Sequence, residues 1–273
     1  MRRADEFVFP EDELPSHRLK EEIGRGANGI VYLCHNELLN RPEALKVWLR
    51  LRAADPRNKF HQGMEEVRKA AAAASSFVVP IYGAGQLSAG LFYATMEFVD
   101  GIPLQRILEH PSSREPRLRY YLARLFFEAL EVTEQAGVLH GDPHSKNIIV
   151  SAGSKRPTEI ASLKESRLKL KLVDFGTSRF TAPGRFERRH RAIVIETFDR
   201  ILRDCFRLRY CHARRAELPE RLQKRAEMVS PSLREHFELL LVIGRMVRIM
   251  LMQGDEPDPP FASESWYSPS EIL

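Results

Sequence analysis

Apolar and polar positions alternate from Ser16 to about residue 50, in a stretch rich in Val, Ile, Leu and Tyr. A period of two puts successive side chains on opposite faces. The stretch therefore predicts three strands, with turns at 24–29 and around 40–42. Residues 58–75 carry Met64, Val67 and an unbroken alanine run at 70–74, which predicts a helix able to pack closely on a sheet. Two further strands are predicted at 77–83 and 90–99. After Gly101 the period lengthens. Leu118, Leu122, Leu125, Phe126, Ala129 and Thr133 recur at helical spacing within 117–136, and Gly137 supplies a stop. Short strands are predicted at 147–150 and 168–173, joined by a polar surface loop at 151–167. Helical spacing returns from His190. Leu233, Phe237, Leu240, Gly244, Val247 and Leu251 form one stripe of a long helix. A strand-rich first third followed by a helix-rich remainder predicts an α+β fold of two lobes meeting near residue 100. The expected divisions are 1–99, 100–252 and a tail at 253–273.

Composition narrows the class. Apolar residues make up 43% of 273, enough for a substantial core. The net charge of +5 is mild and does not by itself imply nucleic acid. Its distribution is uneven: residues 174–215 hold eleven Arg against five acids, whereas 253–273 hold five acids and no base. Cys34, Cys205 and Cys211 are sparse, odd in number and without metal-ligand spacing, which fits structural thiols in a reducing compartment. No apolar run follows the N-terminal arginines, so no signal peptide is expected. Arg245 and Arg248 interrupt the apolar stretch at 237–252, which reads as a buried helix and not a membrane span. A cytoplasmic protein is expected.

Three segments carry chemistry. The first is Ile23-Gly24-Arg25-Gly26-Ala27-Asn28-Gly29-Ile30-Val31, a glycine-rich turn between predicted strands. Such a turn brings backbone N–H groups close to phosphate oxygens, although a plain hairpin turn has the same composition. A dinucleotide site would need the glycines to open a helix, and here they lead into a strand. The second is Ala44-Leu45-Lys46-Val47, with a lysine inside an apolar strand and Glu65 and Glu66 available on the next helix to pair with it. The third is His140-Gly141-Asp142-Pro143-His144-Ser145-Lys146-Asn147, followed by Asp174-Phe175-Gly176. Two carboxylates and an amide are hard oxygen donors suited to magnesium, and one of the acids can accept a hydroxyl proton. Pro143 breaks any helix between His140 and His144, so His140 reads as packing behind the loop.

Taken together and in order, these segments resemble the protein-kinase superfamily. The resemblance covers residues 16 to about 180 well and the rest loosely. It implies a small antiparallel β lobe, a mainly helical lobe, and ATP with Mg2+ between them. It implies that Gly24, Gly26, Ala27 and Gly29 cover the phosphates, flanked by Ile23. Lys46 would contact the α- and β-phosphates and pair with Glu66, chosen over Glu65 for its spacing to the next strand. Val31 and Ala44 would line the adenine pocket. Met96 would stand as gatekeeper, and Glu97 and Phe98 as hinge. Asp142 would be the catalytic base, and Asn147 and Asp174 would hold the metal.

The departures bear on substrate. Gly141 replaces the arginine that receives an activation-loop phosphate in the family. His144 replaces the lysine usual in Ser/Thr kinases and resembles aminoglycoside phosphotransferases, choline kinases and UbiB-type kinases. No Ala-Pro-Glu motif follows Asp174 at the family's distance. The leading expectation is Ser/Thr phosphorylation of protein. The alternatives are phosphorylation of a small-molecule hydroxyl and a weakly catalytic ATP-binding scaffold. Arg185, Arg188, Arg189 and Arg191 form either a solvated helix start or a docking site for an acidic acceptor. The tail, with Asp255, Glu256, Asp258, Glu264, Trp266, Tyr267 and Glu271, is either a solvated end or a restraint lying on that basic surface. Neither a nucleic-acid nor a membrane partner is expected.

Overall fold

The computed structural model describes residues 9–26, 28–49, 56–152, 168–180, 185–202 and 233–234. Five strands form the first sheet: β1 (His17–Gly26), β2 (Gly29–Asn36), β3 (Arg41–Val47), β4 (Ile81–Gln86) and β5 (Phe92–Glu97). Their order is β1-β2-β3-β5-β4, and every neighbouring pair is antiparallel. The period of two sorts β3 cleanly. Leu45 and Val47 enter a core cluster with Phe9, Ile30 and Cys34, while Ala44 and Lys46 face the opposite side. Helix α1 (Pro56–Ala72) crosses that opposite side. Its Phe60, Met64 and Val67 pack on Trp48, Phe92 and Ala94, with the Trp48 and Phe92 rings 5.2 Å apart.

The second lobe begins with β6 (Ile102–Pro103), α2 (Leu104–Glu109) and α3 (Pro116–Gln135). Pro116 opens α3, and the Glu115 carboxylate caps it by accepting from the Arg117 and Leu118 amides at 3.0 and 2.7 Å. The helical stripe predicted for α3 is its buried face. Leu122, Phe126 and Ala129 are fully buried, and Phe126 meets Phe198 at 4.9 Å between ring centroids. Burying each such large side chain contributes about 2 kcal/mol. Then follow β7 (Val138–Leu139), β8 (Ile148–Ala152), β9 (Leu168–Leu172), β10 (Arg179–Phe180) and α4 (Arg185–Leu202). Strands β6, β8 and β9 form one small sheet, and β7 and β10 another. This is the bilobal α+β arrangement anticipated from the sequence.

Several boundaries differ from the pattern-based reading. The strand predicted at 77–83 starts only at Ile81. Pro80 has no N–H to give to a ladder, and the segment before it bonds to the second lobe instead. Val78 bridges Leu172, whose amide donates to the Phe77 carbonyl at 2.7 Å. Lys171 adds a second tie by reaching Glu97 at 2.7 Å. Helix α2 and strand β6 had no sequence prediction. Helix α4 starts at Arg185, ahead of the predicted His190. The loop at 153–167, most of the long helical stripe, Cys205, Cys211 and the acidic tail lie outside the described residues. Leu233 is described and buried in the same cluster as Val194 and Phe198. Among the described residues, no helix is long and apolar enough to cross a membrane.

Candidate active site

A cleft of about 570 Å³ opens between the two lobes. Ile23, Gly24, Gly26, Gly29 and Val31 cover it from the β1–β2 hairpin, with Asn28 at the tip. Gly26 pairs with Gly29 across the turn. Gly29 has φ +153°, and a Cβ there would run into the Val47 carbonyl, so the close approach of β2 to β3 admits only glycine. Ala27 lies outside the described residues. Ala44 stands opposite Met96 in the β3–β5 register, and Glu97 and Phe98 continue along the cleft toward the second lobe. Ile149, Val173, Asp174 and Phe175 close the lower side.

At the back of the cleft, Lys46 Nζ donates to Glu66 Oε1 at 2.5 Å and to Asp174 Oδ1 at 3.0 Å. Glu65 points away and pairs with Arg68 at 3.0 Å. Trp48 Nε1 donates to the second Glu66 oxygen at 3.0 Å. The Lys46 ammonium also lies 4.8 Å from the centroid of the Trp48 ring. Burial opposes the charge on Lys46, but the two carboxylates outweigh it and hold the ammonium above its usual pKa. Burial pushes the Glu66 carboxyl up, against the pull of Lys46. Asp174 is also penalised by burial, yet Lys46 draws its carboxyl below the ordinary value. Its side chain remains 44% exposed, so a charged oxygen faces the cleft.

The loop from His140 to Asn147 sits beside this cluster. His140 is fully buried, and its ring lies 4.5 Å from that of Phe175. Its Nε2 meets the Val173 carbonyl at 3.1 Å, and its Nδ1 faces the Asp142 amide at 3.4 Å. Burial lowers its pKa to about 4, so the ring is neutral, donating through Nε2 and accepting through Nδ1. It thereby links the Asp142 loop to the Asp174 segment. Asn147 Nδ2 donates to the Asp142 carbonyl at 3.0 Å, and the Val173 amide donates to the Asn147 carbonyl at 3.0 Å. His144 Nε2 lies 3.6 Å from Asp142 Oδ2. Asp174 has φ +63° and ψ +75°, a left-handed conformation that turns the chain immediately after β9.

The donor set suits a hard divalent ion. Asp174 offers an exposed carboxylate, and the Asn147 amide nitrogen is committed to Asp142, which leaves its oxygen as the available donor. Among the described residues, no three His, Cys, Asp or Glu side chains gather as a metal-binding group. An ion held here would therefore share its coordination with phosphate oxygens and water. Asp142 and Asn147 are not among the residues lining the cleft but connect to it, Asn147 through the lining residue Val173 and Asp142 through Asn147, whereas the other described residues that the resemblance assigned to nucleotide or metal do line it. Sequence reading missed Trp48, although it lies two positions beyond Lys46 and so shares its strand face. It also missed Arg106 and Lys146, which line the cleft as well. Arg188, Arg189 and Arg191 are exposed on α4.

Comparison with known proteins agrees with this geometry. The serine/threonine-protein kinase PknB of Mycobacterium tuberculosis strain H37Rv is 30% identical over 176 residues, 62% of this chain and 26% of that protein. PknB of Mycolicibacterium smegmatis is 27% identical over 179 residues, 64% of this chain and 26% of its relative. A probable serine/threonine-protein kinase of Clostridium acetobutylicum is 29% identical over 135 residues, 50% and 20% of the two chains. The chain thus spans about a quarter of the length of the mycobacterial relatives. A family model for the protein kinase domain matches residues 17–194, from the start of β1 into α4, and the chain belongs to that family.

Proposed function

We propose that the chain is an ATP- and Mg2+-dependent phosphotransferase acting on Ser/Thr hydroxyls of protein. The observation that carries this reading is the meeting of Lys46, Glu66 and Asp174 in the cleft that the glycine hairpin covers. Phosphoryl transfer asks for placement and charge stabilisation more than covalent work from the protein. Lys46, held by Glu66, steadies the α- and β-phosphates. The Gly24–Gly26–Gly29 backbone excludes water above them. Ala44, Val31 and Met96 bracket adenine, and the Glu97–Phe98 backbone bonds its edge. Asp142 accepts the acceptor's hydroxyl proton as that oxygen bonds to the γ-phosphorus and the bond to ADP breaks. Asp174 and Asn147 would hold Mg2+, which would neutralise charge on the phosphate oxygens. Residues 1–99 and 100–252 serve as the two lobes, and 253–273 as an appended acidic tail, in a cytoplasmic protein. The names of the bacterial relatives support a protein acceptor, and the exposed arginines of α4 suit an acidic one.

A second reading, phosphorylation of a small-molecule hydroxyl, is favoured by His144 beside Asp142 and by the short connection between Asp174 and α4. Mass spectrometry after incubation with ATP and Mg2+ tests both readings. Generic protein, aminoalcohols and aminoglycosides serve as acceptors, with Asp174→Ala and Asp142→Ala as controls. Phosphate on protein side chains in the wild type alone supports the first reading. Transfer confined to small hydroxyls selects the second. Equal products from wild type and Asp142→Ala would overturn both.

A further inference from the structure

Helix α4 reaches the back of the Asp142 loop with two side chains. His190 and Thr197 stand two helical turns apart on one face, and each is only 2% exposed. The Gly141 amide donates to His190 Nδ1 at 3.1 Å, and the Thr197 hydroxyl donates to the Pro143 carbonyl at 3.1 Å. Between them, the Asp142 amide faces His140, and the Asp142 carbonyl accepts from Asn147. Gly141, Asp142 and Pro143 thus each have a main-chain group bonded to a side chain. Those at the outer two come from α4.

The details fit an acceptor role for His190. Gly141 has φ +83°, a conformation that suits glycine and aims its amide at the helix. Glu134 Oε1 lies 3.7 Å from His190 Nε2, on the far side of the ring. That carboxylate favours the proton on Nε2 and leaves Nδ1 to accept from Gly141. The protein thereby ties the His140–Gly141 peptide, one before the peptide that joins Gly141 to Asp142, to α4 through a buried hydrogen bond.

The geometry points to His190 and Thr197 as positioning residues that orient Asp142 through its neighbouring backbone. This rests on the phosphotransferase reading, in which Asp142 accepts the hydroxyl proton. Reaction geometry is unforgiving at that point, since a misplacement of about 1 Å costs about 10²-fold in rate.

The test uses the full chain with His190→Leu, His190→Asn and Thr197→Val. Asparagine places its amide oxygen near the position of Nδ1, and leucine offers no acceptor. Amide hydrogen exchange at Gly141, ATP turnover and nucleotide affinity by calorimetry are measured on each, with Asp142→Asn as the inactive reference. In His190→Leu, Gly141 exchanges about tenfold faster as its hydrogen bond is lost. Turnover falls about 10- to 100-fold at unchanged nucleotide affinity. Thr197→Val shows a smaller fall of the same kind, and His190→Asn keeps exchange and turnover near wild type. The proposal is overturned if Gly141 exchange in His190→Leu matches wild type, or if His190→Asn is as impaired as His190→Leu. Loss of nucleotide affinity in step with turnover would also overturn it. Wild-type turnover no higher than that of Asp142→Asn would instead refute the phosphotransferase reading, and the exchange ratio alone would then decide whether α4 braces the loop.

Discussion

Replacing Lys46 with methionine tests the charge cluster most directly. The substitution keeps an unbranched stem and removes the ammonium that bonds both Glu66 and Asp174. Lys46 and Glu66 are 8% and 6% exposed, so the pair is screened little by water. Removing one partner of a buried ion pair costs about 3–5 kcal/mol, because the other charge is left uncompensated. For a chain of this size that corresponds to a fall in Tm of about 5–9 °C near pH 8. The loss depends on pH in a defined direction. Burial already raises the Glu66 carboxyl, and deleting the cation raises it further. An acid whose folded pKa exceeds its unfolded one contributes least when ionised, so Lys46→Met loses stability as pH rises above the ordinary carboxylate range. It recovers as pH falls and Glu66 takes up a proton. Adding Glu66→Gln to Lys46→Met removes the orphaned charge and restores part of the stability at pH 8. Urea unfolding of the four proteins at pH 5.5 and 8 gives the full cycle. Turnover in Lys46→Met falls by about 10²- to 10³-fold, the scale of losing one preorganised charge donor. A Tm at pH 8 equal to wild type, or the same loss at both pH values, would refute the reasoning.

His140 gives a second pH signature. Its folded pKa of about 4 lies below the ordinary histidine value, so the unfolded chain binds the proton more readily and stability rises with pH between them. Folding should lose about 3 kcal/mol on going from pH 6.5 to 4 through this group, and His140→Gln should flatten that slope in urea melts. Burial and the nearby Glu43 carboxylate push the Cys34 thiol up to about 12. At pH 8 about 10⁻⁴ of it is thiolate, so peptide mapping should find Cys34 unmodified by iodoacetamide in the native protein and alkylated in urea.

Alternation along 16–50 was sufficient to predict the first three strands, because a half-buried sheet imposes its period of two on the residues themselves. The same logic made the α3 stripe legible. The chemistry-bearing segments were readable for a related reason: Gly24–Gly26–Gly29, Lys46, Asp142, Asn147 and Asp174 keep residue types with few substitutes at recognisable spacing. Phe77 and Val78 were misread because they look like strand but give their carbonyls to β9, far away in sequence. Helix α2 is too short for a period to show. Spacing within the family resemblance favoured Glu66 over Glu65, but only the tertiary structure supplied the contact, since adjacent helical residues point to different sides and the rotation of α1 over β3 decides which meets Lys46. It likewise brought Trp48 onto Glu66, and His190 and Thr197 onto the loop of Asp142. Those contacts join residues with no local pattern in common, and only the packing of one element against another creates them.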